Sequence, residues 1–175
     1  QIVMAFLMLM MMFILLPRAN VCAKRIQEVI DTEVSVKDPD VEKPLVKGEE
    51  GTITFDHVSF AYPDAEADIL QDISFTAKKG QTIAFIGSTG SGKSTLVNLV
   101  TRFYDVTKGS ITIDGVDVRN MKQSTLRGLV GFVPQKGLLF SGTIKSNIKF
   151  GNSNASDKDV EQACKIACAD EFISK

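Results

Sequence analysis

The chain has 175 residues, 44% hydrophobic and 23% charged, and 20 Lys and Arg against 21 Asp and Glu leave a formal charge of −1. A domain of this size folds without disulfides or a structural metal, and the balanced charge offers neither the basic excess of a nucleic-acid binder nor the acidic run of a disordered tail. Three cysteines (Cys22, Cys164 and Cys168) and one histidine (His57) are too few for a metal centre and read as thiols in a reducing, cytoplasmic setting.

The average hides a split. Ile2 to Leu16 is 15 consecutive apolar residues holding five of the six methionines, and the first charged side chain is Arg18. A span needs ~20 such residues, a signal peptide needs a basic start and small residues after the run, and a buried soluble helix is rarely apolar on every face. The run therefore reads as the cytoplasmic end of a transmembrane helix, with Arg18, Lys24 and Arg25 on the cytoplasmic side. Opening on Gln1 against this run and closing on Glu171-Phe-Ile-Ser-Lys175 without a stop signal, the chain reads as a piece of a longer protein. From Arg18 to Asp31 the pattern turns amphipathic, with Cys22, Ile26, Val29 and Ile30 on one stripe and Lys24 able to pair with Glu28. The spacing predicts a helix that leaves the membrane and continues into water. Residues 1–33 are thus expected as helix end and extension. Residues 34–51, rich in charge, Pro and Gly, are expected as a solvated linker, and 52–175 as the globular part.

Ile53 to Phe60 reads as a strand whose alternation slips after Asp56, Tyr62-Pro63-Asp64 as a turn, and Ile69 to Thr76 as a second strand. Thr82-Ile-Ala-Phe-Ile86 has the length and continuous apolarity of a buried strand, and Leu129 to Pro134 reads the same way. Between them, Leu96, Leu99, Val100 and Phe103 mark a helical face, and Asp114-Gly115 flanked by Ile111, Ile113, Val116 and Val118 signals a hairpin. Ser156 to Ile173 is expected to be helical, capped by Ser156, with Cys164 and Cys168 on one face.

One motif carries chemistry. Gly87-Ser88-Thr89-Gly90-Ser91-Gly92-Lys93-Ser94, followed by Thr95, fits the G-x-x-x-x-G-K-[ST] pattern of a phosphate-binding loop between a buried strand and a helix. The glycines let the backbone curl so that successive N–H groups form a nest for phosphate oxygens. The helix adds its positive N-terminal end, Lys93 a full charge for the β- and γ-phosphates, and Ser94 a hydroxyl for Mg²⁺. A merely flexible Gly/Ser loop does not explain the lysine and the hydroxyl at those positions.

A P-loop alone does not separate kinases, GTPases and helicases. In order along the chain, however, these residues resemble an ATP-binding cassette (ABC) exporter, from its last transmembrane helix into its nucleotide-binding domain. The resemblance rests on Pro17-Arg18-Ala-Asn and Ala23 to Thr32 for the helix end, and on Val58-Ser-Phe-Ala-Tyr-Pro63 for the A-loop. It rests further on Gly109-Ser-Ile-Thr-Ile-Asp-Gly115 for the antiparallel β-subdomain, on Val133-Pro-Gln135 for the Q-loop, and on Leu139 to Ile148 for the segment after it. It implies an α/β P-loop nucleotide-binding domain with an antiparallel β-subdomain. Tyr62 would stack on adenine, Gly87 to Thr95 would hold the phosphates of ATP, Ser94 and Gln135 would hold Mg²⁺, and Lys93 and Gln135 would serve catalysis. Taken alone, Tyr62 reads equally as a turn aromatic covering the sheet, and Gln135 as an ordinary loop residue. His57 reads as a strand residue, since the family's catalytic histidine lies much later in its domain. The resemblance further implies a second nucleotide-binding domain, in a homo- or heterodimer, the transmembrane domain of the same transporter, and a membrane as partners.

Two family elements have no counterpart here: a Leu-Ser-Gly-Gly-Gln-like signature and an apolar run ending in Asp-Glu. The expectation is an ATP-hydrolysing exporter subunit of which this stretch alone is inactive. The alternatives are a soluble P-loop kinase or GTPase, and a membrane-tethered ATP-binding regulator that never hydrolyses.

Overall fold

The structure is a computed structural model that describes residues 1–63 and 65–173, so Asp64 of the expected turn lies outside the described residues. The chain forms two units, Gln1–Gly131 and Phe132–Lys175.

The first unit opens with helix α1, Ile2–Ile30, which runs unbroken through Pro17 with every residue exposed. It is long and apolar enough to cross a membrane, and the amphipathic stretch continues the same helix rather than starting a new one. The helix ends where Asp31 N–H reaches Gln27 O at 2.8 Å and the Thr32 hydroxyl donates to Glu28 O at 2.7 Å. Residues 34–51 are irregular and mostly exposed, but they do not hang free. Val36 is buried, and backbone bonds join Lys43 N–H to Asn120 O at 3.1 Å and Val46 N–H to Asp114 O at 3.0 Å.

Strands β1 (Ile53–Phe60), β2 (Leu70–Ala77), β3 (Lys108–Ile113) and β4 (Val116–Asp117) form one antiparallel sheet in the order β2-β1-β3-β4. The slip in β1 is a bulge. Its pairing with β2 shifts between Phe55 and Val58, and His57 takes φ +49° at the shift. Across from it, Gly109 has φ +77°, and a Cβ there would collide with the backbone carbonyls of Asp56 and His57. The hairpin turns on Asp114 (φ +50°) and Gly115 (φ +75°), the sign pair a two-residue turn of matching twist requires. The Asp114 carboxylate then accepts Gly51 N–H at 2.7 Å and fixes where β1 begins.

Helix α2, Lys93–Val100, buries Leu96 and Leu99 against Phe55, Phe60, Ile111 and Met121. Val100 is half-buried, whereas Phe103 falls beyond the helix end and is 43% exposed. A short helix, α3 (Gln123–Leu129), adds Leu126 to the same core.

Two expected strands do not form. Thr82–Ile86 and Leu129–Pro134 are not paired into the sheet, with Ile86 96% and Val133 92% exposed and Leu129 taken into α3. A strand apolar on both faces needs neighbours on both edges and cover on both sides, and among the described residues no strand lies beside either segment.

In the second unit, α4 (Ile144–Ile148) and α5 (Asp157–Ile166) each start with a reciprocal capping box, Thr143 with Ser146 and Ser156 with Asp159. The helix expected to reach Ile173 is interrupted. Ala169 N–H bonds Cys164 O at 2.8 Å and Cys168 N–H bonds Lys165 O at 3.1 Å, with Cys168 at φ +53°. That is a Schellman stop, after which Asp170–Ile173 forms the single turn α6. Cys164 is buried and Cys168, off the helix, is exposed, so the two do not share a helical face.

Candidate functional site

The Gly-rich loop leads into α2, whose N-cap is Gly92 at φ +84°. A Cβ on Gly92 would meet Leu70 Cδ2 at 2.8 Å, so this glycine lets the helix start press against the head of β2. A Cβ on Gly87 would meet the Ser91 hydroxyl at 2.7 Å, and Gly90 takes φ +85°. The loop is therefore wound tightly on itself in a conformation that side chains at 87, 90 and 92 would obstruct or strain. The first intrahelical bond is Leu96 N–H to Gly92 O at 2.9 Å, so the amides of Lys93, Ser94 and Thr95 precede it at the positive end of the helix dipole. No acidic residue lies in that first turn to offset the field.

Lys93 Nζ is gathered into the loop, donating to Ser88 O at 2.6 Å, Gly87 O at 3.0 Å and the Ser91 hydroxyl at 3.2 Å. All three acceptors are neutral, so the ammonium charge is held in place without being cancelled. Ser94 is exposed beside it, and Thr95 is buried. One ammonium, three leading amides and a free-facing hydroxyl are a donor set matched to a polyphosphate and its cation.

Tyr62 stands next to this helix start. Its hydroxyl bonds Thr95 Oγ1 at 3.0 Å, and its half-buried ring packs edge-on against Phe60 at 4.9 Å and Tyr104 at 5.1 Å. The ring covers the edge of the core, as the turn-aromatic reading expects, and the hydroxyl ties it to the first turn of α2. The structure brings together Tyr62 and Gly87 to Thr95 in the first unit. Gln135 lies in the second, on an irregular, exposed stretch.

His57 is elsewhere, on the bulge. Its Nδ1 lies 2.6 Å from Asp72 Oδ1, and this hydrogen bond raises its pKa above the ordinary 6.5, aided by the charges of Asp72 and Asp56. Sequence reasoning missed one contact and one residue. Thr95 as the partner of Tyr62 could not be seen without the fold. Arg102, 3% exposed, has no pattern that marks it, because two of its partners are backbone carbonyls.

The curled loop, its lysine and the helix it opens define a nucleotide-binding protein of the P-loop class. Comparison narrows the class. The model of the ABC transporter family matches residues 70–173. An uncharacterised ABC transporter ATP-binding protein of Mycobacterium bovis is 44% identical over 176 residues, covering 99% of this chain and 30% of that protein. A probable multidrug resistance ABC transporter ATP-binding/permease protein of Bacillus subtilis is 47% identical over 146 residues, covering 83% of this chain and 25% of that protein. The solved structure of a bacterial Atm1-family ABC exporter with ATP bound superposes with TM-score 0.81 at 36% identity, over 91% of this chain and 27% of that one. The chain belongs to the ABC transporter family and carries its ATP-binding domain fold. It spans less than a third of the length of these relatives. Family membership gives no support to the soluble kinase or GTPase alternative.

Proposed function

We propose that the chain is the ATP-binding part of an ABC exporter subunit, coupling ATP binding and hydrolysis in the assembled transporter to movement of a solute across a membrane. The observation that carries this reading is the loop at Gly87–Thr95, with Lys93 held uncancelled inside it and Tyr62 bonded to its helix. In the proposed roles, the amides of 87–95 and the Lys93 ammonium bind the phosphates, Tyr62 faces the adenine, and Ser94 and Gln135 hold Mg²⁺. When bound, Mg²⁺ neutralises charge on the phosphates. The relatives named as multidrug ATP-binding/permease proteins support export, and the apolar α1 supports a membrane attachment with the nucleotide domain in the cytoplasm. Residues 1–33 would serve as the membrane helix end, 34–51 as the connection and 52–175 as ATP-binding domain. The partners are the transporter's transmembrane domain and a second nucleotide-binding domain.

Within the 175 residues no Leu-Ser-Gly-Gly-Gln-like segment and no apolar run ending in Asp-Glu occurs. None of the proposed site residues is a carboxylate that could orient or deprotonate a water for attack, so the chain alone holds ATP without turning it over. The test is a titration with fluorescent Mg-ATP. Lys93→Ala is expected to weaken binding at least tenfold, the order of one charge-assisted hydrogen bond to phosphate. Equal binding by the variant would overturn the assignment.

A further inference from the structure

The segment between α1 and the sheet is fastened to the ATP-binding domain at several points. Besides the two backbone bonds of Lys43 and Val46, the Asp38 carboxylate accepts Gln123 N–H at 2.9 Å and that of Glu42 accepts Lys122 N–H at 3.1 Å. The Gln123 side chain donates to Val36 O at 3.3 Å. Residues 36–46 are therefore a strap laid along the start of α3 and the β3–β4 turn.

Its deepest anchor is Arg102. This residue lies two positions beyond α2, with its N–H on Leu99 O at 3.1 Å, and takes φ +53°, a backbone conformation L-residues disfavour. Its guanidinium is buried and makes four hydrogen bonds. Nε and Nη2 bond the Asp105 carboxylate at 2.7 and 3.2 Å, Nη1 donates to Met121 O at 3.3 Å, and Nη2 donates to Lys37 O at 3.0 Å. Asp105 alone would neutralise the charge. The further bonds reach the strap and the segment before α3, so a single rigid fork joins three stretches of chain.

The phosphate loop and this fork sit at opposite ends of one short rod. α2 has eight residues, a length of about 12 Å. Lys93 and the phosphate loop are at its first turn, and Arg102 follows its last. The strap in turn begins shortly after Ile30, the end of α1. We propose that Arg102 is a positioning residue through which docking of the strap 36–46 and nucleotide binding at the P-loop are coupled, forming a line from the ATP site through α2 to the apolar helix. The proposal rests on the P-loop reading. Its content is thermodynamic: if bound nucleotide favours the docked strap by some factor, the docked strap raises nucleotide affinity by the same factor.

The amides of Lys43, Val46, Lys122 and Gln123 report docking, since each donates between strap and domain. Hydrogen exchange is measured on the full chain in detergent micelles with and without Mg-ATP. Bound ATP is expected to slow exchange at these amides about fivefold or more, at the low end of ordinary coupling strengths. Arg102→Lys keeps a charge beside Asp105 but lacks the fork. It should abolish the ATP dependence and weaken ATP binding by the same factor, while the amides of Phe55 and Ile111 in the sheet stay protected. Should Arg102→Lys fail to keep that core, Asp38→Ala combined with Gln123→Ala loosens the strap from its exposed side and should reduce the ATP dependence likewise. Nucleotide that binds without changing strap exchange overturns the coupling and leaves the P-loop reading standing. Absence of nucleotide binding by the unmodified chain overturns both.

Discussion

The hydroxyl pair of Tyr62 and Thr95 ties the aromatic beside the loop to the helix that the loop opens. Thr95 is 7% exposed, so a hydroxyl that loses its partner there has little water to replace it. Tyr62→Phe keeps the ring and removes the bond, and should cost about 1–2 kcal/mol of unfolding free energy, measured by denaturant titration. No change would mean that water replaces the phenol. His57 offers a second test at this scale, because it is the chain's sole histidine. Its pKa is raised above 6.5, first by the hydrogen bond to Asp72. A group whose folded pKa is raised stabilises the fold fully below its unfolded pKa, and that contribution is lost as pH rises through the folded value. Asp72→Asn should therefore move the imidazole NMR titration midpoint down towards 6.5 and flatten the stability change above that pH. An unmoved midpoint would contradict the pairing.

Among the elements, the stop of α5 holds a residue unsuited to it. Cys168 takes φ +53° at the position where a helix of this kind ordinarily ends on glycine. Cys168→Gly should raise the stability of the second unit by about 1 kcal/mol, read as an increase in Tm. A decrease would show that the thiol's packing is worth more than the strain. The same position explains why the break is illegible in the sequence: Ala167-Cys168-Ala169 carries no breaker, so the helical periodicity runs on to Ile173. Signals that act within a few residues can be read directly. The β1 bulge shows as a slip in alternation at Asp56, the hairpin as Asp114-Gly115, the α5 cap as Ser156, and the phosphate loop as fixed spacing from Gly87 to Ser94. What depends on distant partners is not legible. Thr82–Ile86 has the composition of a buried strand, but composition does not supply a neighbouring strand. Arg102 reaches Lys37 O, 65 residues away, and a backbone carbonyl has no residue type to recognise. Gln135 stands out through the family resemblance alone.

At the scale of the molecule, an apolar helix, a strap and a phosphate-binding domain follow one another along the chain, and within the first unit hydrogen bonds and packing link the strap from Val36 to the domain that carries Lys93. The apolar surface of α1 is exposed along its whole length, which in water would be costly at roughly 25 cal/mol per Å². By length and composition the helix could cross a membrane. In the proposed site one nucleotide lies with its phosphates at Gly87–Thr95 and its base at Tyr62. Photolabelling of the full chain in detergent with 8-azido-ATP and Mg²⁺, followed by peptide mass spectrometry, tests it most directly. The label should fall on the peptide containing Tyr62, should be suppressed by excess Mg-ATP, and should disappear in Lys93→Ala. Labelling confined to other peptides, or labelling at Tyr62 that survives Lys93→Ala unchanged, would contradict it.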